Sequence, residues 1–237
     1  MTPRALSLID TIAATRAEIH ADPSSEAALQ RLQHWQVERL RATYADYHSI
    51  ARFRDALDFF VQDLYGPHDF HRRDRDLQRV MKGWHQVLPS HALESVTQAL
   101  ELEALSQSLD IAMARDLGEE SLSPQTYAQA YRRVDRRRDR EHQISLIVSA
   151  GRALDDLITR PWIAAALRAA RYPARMAGVG TLQQFLERGY AAFAKMGSAE
   201  DLLRVIEDRE TRIMKQILAG ADDPFDIDCP AEQERGA

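Results

Sequence analysis

Asp63, His68, Asp69, His71 and Asp74 crowd a short stretch on either side of Gly66-Pro67. Imidazole nitrogens and carboxylate oxygens are the usual ligands of first-row metal ions, and His68 and His71 would lie one turn apart on a helix face. The same groups have a structural use. Asp69 near a helix start would satisfy free backbone amides, and Asp63 or Asp74 would pair with Arg72, Arg73 or Arg75. Gly66 tolerates the left-handed conformation that ends a helix, and Pro67 suits the first turn of the next one.

His68-Asp69 resembles the central pair of the HD-type metal phosphohydrolases, all-helical enzymes that use a histidine, a His-Asp pair and a distant aspartate. That resemblance implies a metal-dependent hydrolase with His68, Asp69 and His71 at its centre and His48 and Asp110 as outer ligands. The sequence departs from the family in placing Gly66-Pro67 between the apolar helical run and the pair. Asp139-x-x-His142 has the spacing of half a di-iron bundle site, but the chain holds no Glu-x-x-His to complete it. A phosphate-binding glycine loop, a Gly-x-Ser-x-Gly elbow and a Cys-x-x-Cys pair are also missing, so the common enzyme routes have no support and no cofactor is expected.

Charge patterning points to binding. Arg132, Arg133, Arg136, Arg137, Arg138 and Arg140 are interleaved with Asp135, Asp139 and Glu141. Pairs such as Arg132 with Asp135 and Arg136 with Asp139 predict a self-neutralising helix face, and a net charge of −5 argues against a nucleic-acid partner. Residues 157–186 differ: they hold Arg160, Arg168, Arg171 and Arg175 and no acid, for a charge of +4. Trp162, Arg168, Arg171 and Arg175 are the expected contact surface for a protein partner or an anionic or apolar ligand, with an anionic membrane surface as a further candidate. The alternative is a core helix with rim arginines whose stems cover apolar surface. In Phe185, Gly189, Phe193 and Ser149-Ala150-Gly151, small residues allow close helix approach and aromatics fill a core; an apolar pocket between these helices is the other reading.

The elements that position these residues are helices. Of 237 residues, 45% are hydrophobic and 28% charged, with ten Gly and nine Pro, and helix formers dominate. Leu6, Ile9, Ile12 or Ala13, Arg16 and Ile19 recur at helical spacing from Pro3 to about Ala21, and Asp22-Pro23 caps a second run that continues to Tyr65 as one very long helix or as two parted between Tyr44 and Ser49. Further helices are expected up to Leu88, from Ser90 to Leu117, from Pro124 to Ile158, and from Pro161 to before Pro173. Two more follow, one capped by Thr181 with Gln184 and a last one ending near Ala219. No stretch alternates as a strand with hairpin turns. The reading is an all-α, irregular bundle of about eight or nine helices, a single domain over 1–220 with an acidic, mobile tail over 221–237. The lone Cys229 fits a reducing compartment, no run is apolar enough to span a membrane, and the cytoplasm is the expected location.

Phe59-Phe60-x-x-Asp63-Leu64-Tyr65-Gly66-Pro67-x-Asp69, Leu102-Glu103-Ala104-Leu105-Ser106-x-x-Leu109-Asp110, Leu182-Gln183-x-Phe185-Leu186-Glu187-Arg188-Gly189 and Met196-Gly197 resemble an uncharacterised all-helical family of proteobacterial proteins. The resemblance implies one unit covering most of the chain. It carries no activity and no site residues.

Overall fold

The computed structural model describes residues 3–61 and 90–227. Gly66-Pro67 with Asp63, His68, Asp69, His71 and Asp74, the helix expected up to Leu88, and Cys229 all lie outside these residues. The described chain forms ten helices and no strand: α1 (Pro3–Ala21), α2 (Pro23–Thr43), α3 (Ala45–Ser49), α4 (Ala51–Phe59), α5 (Ser90–Leu117), α6 (Pro124–Val134), α7 (Arg137–Ile158), α8 (Pro161–Met176), α9 (Gly180–Met196) and α10 (Glu200–Ala219). The fold is all-α, as the sequence predicts. None of these helices is long and apolar enough to cross a membrane.

Local chemistry sets most boundaries. The Asp22 carboxylate accepts from the Ser24 amide at 3.0 Å, with Pro23 in the first turn of α2. Ser123 and Thr126 satisfy each other's backbone amides at the start of α6. Three expectations need correction. The run 124–158 is two helices, because Asp135 takes a left-handed conformation (φ 46°) that a short polar side chain tolerates. α8 continues through Pro173 to Met176. Thr181 lies inside the first turn of α9 and does not cap it; Val179 stands at the cap with no side-chain hydrogen bond.

The buried stripe of α1 keeps Ile9, Ile12, Arg16 and Ile19 and differs from the expected one only at its start. Ala5, Ile9, Ile12 and Ile19 are buried, whereas Leu6 is 39% exposed. Spacings of three and four keep that stripe, with Arg16, against α5.

Three apolar clusters join the helices into one domain. The largest gathers Leu40, Phe53, Phe59, Ile147, Phe193, Leu203 and Ile206 from α2, α4, α7, α9 and α10. A second holds Leu32, Met113, Tyr127, Tyr131, Met214 and Ile217 from α2, α5, α6 and α10. The third joins α1 to α5 through Ile9, Ile12 and Leu100.

Residues 221–227 pack against the second cluster. Pro224 is fully buried, and the Phe225 ring meets Trp35 and Tyr127 edge-on with centroids 5.5 and 5.9 Å away. Pro and Phe in an acidic stretch carry enough apolar surface to hold this turn on the second cluster. Phe225→Ala is therefore expected to lower the unfolding free energy by about 1–3 kcal/mol in urea titrations, whereas the exposed Asp222→Ala stays within about 0.5 kcal/mol of the parent. Equal stability of the two variants would contradict the docked turn.

Candidate functional site

Between α1, α2, α4, α5, α7, α9 and α10 lies a cavity of about 750 Å³. Its wall is mostly apolar, with Phe59, Leu102, Leu154, Phe185, Phe193 and Leu203 among the residues that form it. The aromatic side is ordered by ring contacts: Phe59 lies 5.2 Å from Phe185 and 6.3 Å, edge-on, from Phe193, centroid to centroid.

Two glycines explain how the helices enclose this space. A Cβ at Gly151 of α7 would stand 2.3 Å from Leu203 Cδ2 of α10, and one at Gly189 of α9 would stand 2.8 Å from Phe59 Cζ of α4. Both backbones therefore approach side chains of the opposite helix so closely that a Cβ would require Leu203 or Phe59 to shift. Gly151, Gly189 and the aromatics Phe185 and Phe193, which the sequence offers as core or pocket, are both at once: they pack α7 and α9 on their neighbours and line the cavity.

One end of the cavity is polar. Arg16 of α1 pairs with Glu103 of α5, and Ser106, Gln107 and Asp110 follow on α5. Burial lowers the Arg16 pKa, an effect its partner Glu103 opposes. The Gln36 amide donates to Asp110 Oδ1 at 2.9 Å, and Gln143 Nε2 donates to Ser106 Oγ at 2.8 Å. Arg140 reaches Gln143 Oε1 at 3.3 Å and lies over the Tyr131 ring, 4.6 Å from its centroid. Burial raises the Asp110 pKa above the ordinary carboxylate value; the Gln36 hydrogen bond and the Arg140 charge pull the other way without reversing it.

Behind Asp110 a smaller cavity of about 60 Å³ is lined by Gln36, Arg39, Tyr44, Arg140 and Glu210. Gln36 Oε1 and Arg140 Nη2 are buried there without a protein partner among the described residues. Glu210 Oε1 accepts from Arg39 Nη1 at 2.5 Å and from the Tyr44 hydroxyl at 2.9 Å. Burial, then Glu210, pushes the Tyr44 pKa well up.

The residues singled out in the sequence fall in different places. His48, on α3, meets Asp58 at 2.9 Å on the surface, whereas Asp110 is buried on α5 against Gln36. Among the described residues no three His, Cys, Asp or Glu side chains are grouped to hold a metal ion. His68, Asp69 and His71 lie outside the described residues. His142 meets Glu101 at 3.2 Å and Asp139 pairs with Arg136, so that spacing serves two separate contacts. The expected Arg136–Asp139 pair is present. Arg132 instead donates to the Ile217 carbonyl at 3.0 Å, because Asp135 leaves the helical path. Trp162, Arg168, Arg171 and Arg175 are all exposed on α8.

Sequence reasoning did not find Gln36 and Gln143, and it placed Arg140 on a self-neutralising helix face where the structure buries it. Each was readable as a polar residue within an apolar stripe: Gln36 follows Leu32 and precedes Leu40 on the inner face of α2. The family model described as Domain of unknown function (DUF8198) matches residues 15–224, so the chain belongs to that family. No curated protein and no solved structure matches it.

A raised Asp110 pKa has a definite consequence for stability. The folded chain binds this proton more tightly than the unfolded chain does, so the contribution of Asp110 to stability falls as pH rises from about 4, where an unfolded aspartate starts to ionise. Asp110→Asn removes that term and leaves the other carboxylates in place. The stability of the variant relative to the parent, read from urea midpoints, is expected to grow as pH rises from about 4. A constant difference across that range would contradict the assignment.

Proposed function

We propose that this DUF8198 chain binds one mostly apolar small molecule in the cavity between α5, α7 and α9. The single observation that carries the reading is the cavity itself, whose volume of about 750 Å³ falls within the range that holds a drug-sized ligand. The apolar body of the ligand would lie against Phe59, Phe185 and Phe193, and its polar end would meet Ser106, Gln107 and Asp110. Arg16 is engaged by Glu103, and burial disfavours a charge on Asp110, so the polar end suits an uncharged hydroxyl, carbonyl or amide.

This retains a binding role, as the sequence led us to expect, and moves its centre from the surface of 157–186 to the interior that the same segment borders through Leu157, Phe185 and Leu186. The metal-hydrolase reading rests on His68, Asp69 and His71, and no observation on the described residues favours it.

Titration with a neutral solvatochromic dye such as Nile red tests the proposal. Saturable binding of one dye per chain is expected, weakened roughly tenfold or more when Ala150→Trp or Ala153→Trp fills the α7 wall while the helical circular dichroism is kept. Binding that does not saturate, or that both filled variants leave unchanged, would overturn it.

A further inference from the structure

α8 presents apolar side chains on two faces. Ile163, Leu167 and Ala174 turn inward, and α8 packs on α9 and α7. On the outside, Trp162 is 52% exposed, Tyr172 73% and Met176 72%, and the exposed alanines 165, 166 and 169 fill the interval between them. Positions 162, 165, 166, 169, 172 and 176 follow the helical repeat, so these side chains form one continuous outward stripe. Scattered exposed apolar residues are ordinary, whereas a contiguous apolar stripe marks a surface that is covered in use.

Charge identifies what covers it. Arg168, Arg171 and Arg175 run along one edge of the stripe, again at helical spacing, and Arg160 stands exposed just before the helix. Arg171 meets Glu187 at 2.7 Å; Arg168 and Arg175 have no acidic partner among the described residues. The stretch 157–186 carries +4 in a chain of −5, which leaves −9 on the remainder. An anionic surface would therefore attract this face and repel the rest of the molecule, and that fixes a single orientation. The stripe lacks the bulky side chains that interlock with another helix at its middle, where only alanines stand. Its tryptophan and tyrosine are residues that settle at the boundary between water and lipid. A second copy docked antiparallel on the same stripe would set the arginine edges against each other.

We infer that α8 is a membrane-docking helix, lying in the headgroup region of an anionic bilayer with Trp162, Tyr172 and Met176 inserted and Arg168 and Arg175 on lipid phosphates. This inference does not depend on the ligand reading of the cavity. The two share a border, because Leu186, 45% exposed on α9, belongs to the same acid-free stretch and also lines the cavity.

Flotation of the full chain with large unilamellar vesicles tests the inference. Vesicles of phosphatidylcholine containing phosphatidylglycerol are expected to bind the chain roughly tenfold or more better than pure phosphatidylcholine, with the difference falling as salt rises. Trp162→Ser with Tyr172→Ser and Met176→Ser is expected to abolish flotation. Arg168→Glu with Arg175→Glu, confined to exposed side chains without acidic partners, is expected to cut it at least as much as the change of lipid does and keeps the test valid if the triple variant fails to fold. Absence of flotation with both vesicle types, flotation that the charge reversal leaves unchanged, or an apolar variant that instead converts a dimer to a monomer would overturn the inference.

Discussion

One carboxylate ties α2 to α10. Glu210 of α10 takes a hydrogen bond from Arg39 and another from Tyr44, both from α2, in surroundings where little of any partner reaches water. An ion pair of this kind adds little net stability over a well-packed apolar pair, since both charges must shed water. Removing one partner, however, costs about 3–5 kcal/mol by leaving the other buried and alone. Its effect is to fix register: only one rotation and one height of α2 against α10 bring Arg39 and Tyr44 to the same oxygen. The neighbouring Arg209 completes the joint. It donates to the Thr43 carbonyl at 2.6 Å and to both oxygens of Asp46, closing the open end of α2 where the chain turns into α3.

With α2 and α10 held, the other helices are placed by size. Gly151 and Gly189 let α7 and α9 come close to Leu203 and Phe59, and the aromatic rings stand between them. α5 contributes serine, glutamine and aspartate to the facing wall along Ser106, Gln107 and Asp110, so the interior is apolar at one end and polar at the other. A core selected for stability alone would fill such a space, because unfilled volume forfeits dispersion contacts. Its retention beside a chain of partly satisfied polar groups is the physical basis for reading it as a binding site.

Much of the fold was legible because helix ends are written in local chemistry. Asp22-Pro23, Ser123-Pro124, Gly118 and Gly220 mark boundaries that the structure keeps. Some of the misses turn on contacts distant in sequence. Arg132, expected to pair with Asp135, donates to the Ile217 carbonyl on α10, and the inward turn of Ala5 in place of Leu6 reflects the face of α5. For the site, Phe185, Gly189, Phe193 and Gly151 were singled out from the sequence, but whether they enclose space or fill it depends on how far apart the helices stand, which no local pattern encodes. Asp110 was noticed as a metal ligand, and its actual neighbours Gln36 and Arg140 are 74 and 30 positions away.

On this reading the interior between α5, α7 and α9 is open to an apolar guest. Crystals of the chain pressurised with xenon test it most directly, since xenon enters apolar cavities and scatters strongly. Xenon density bounded by Phe59, Phe185 and Phe193 is expected. Density for closely packed side chains in that volume, with no xenon among them, would contradict it.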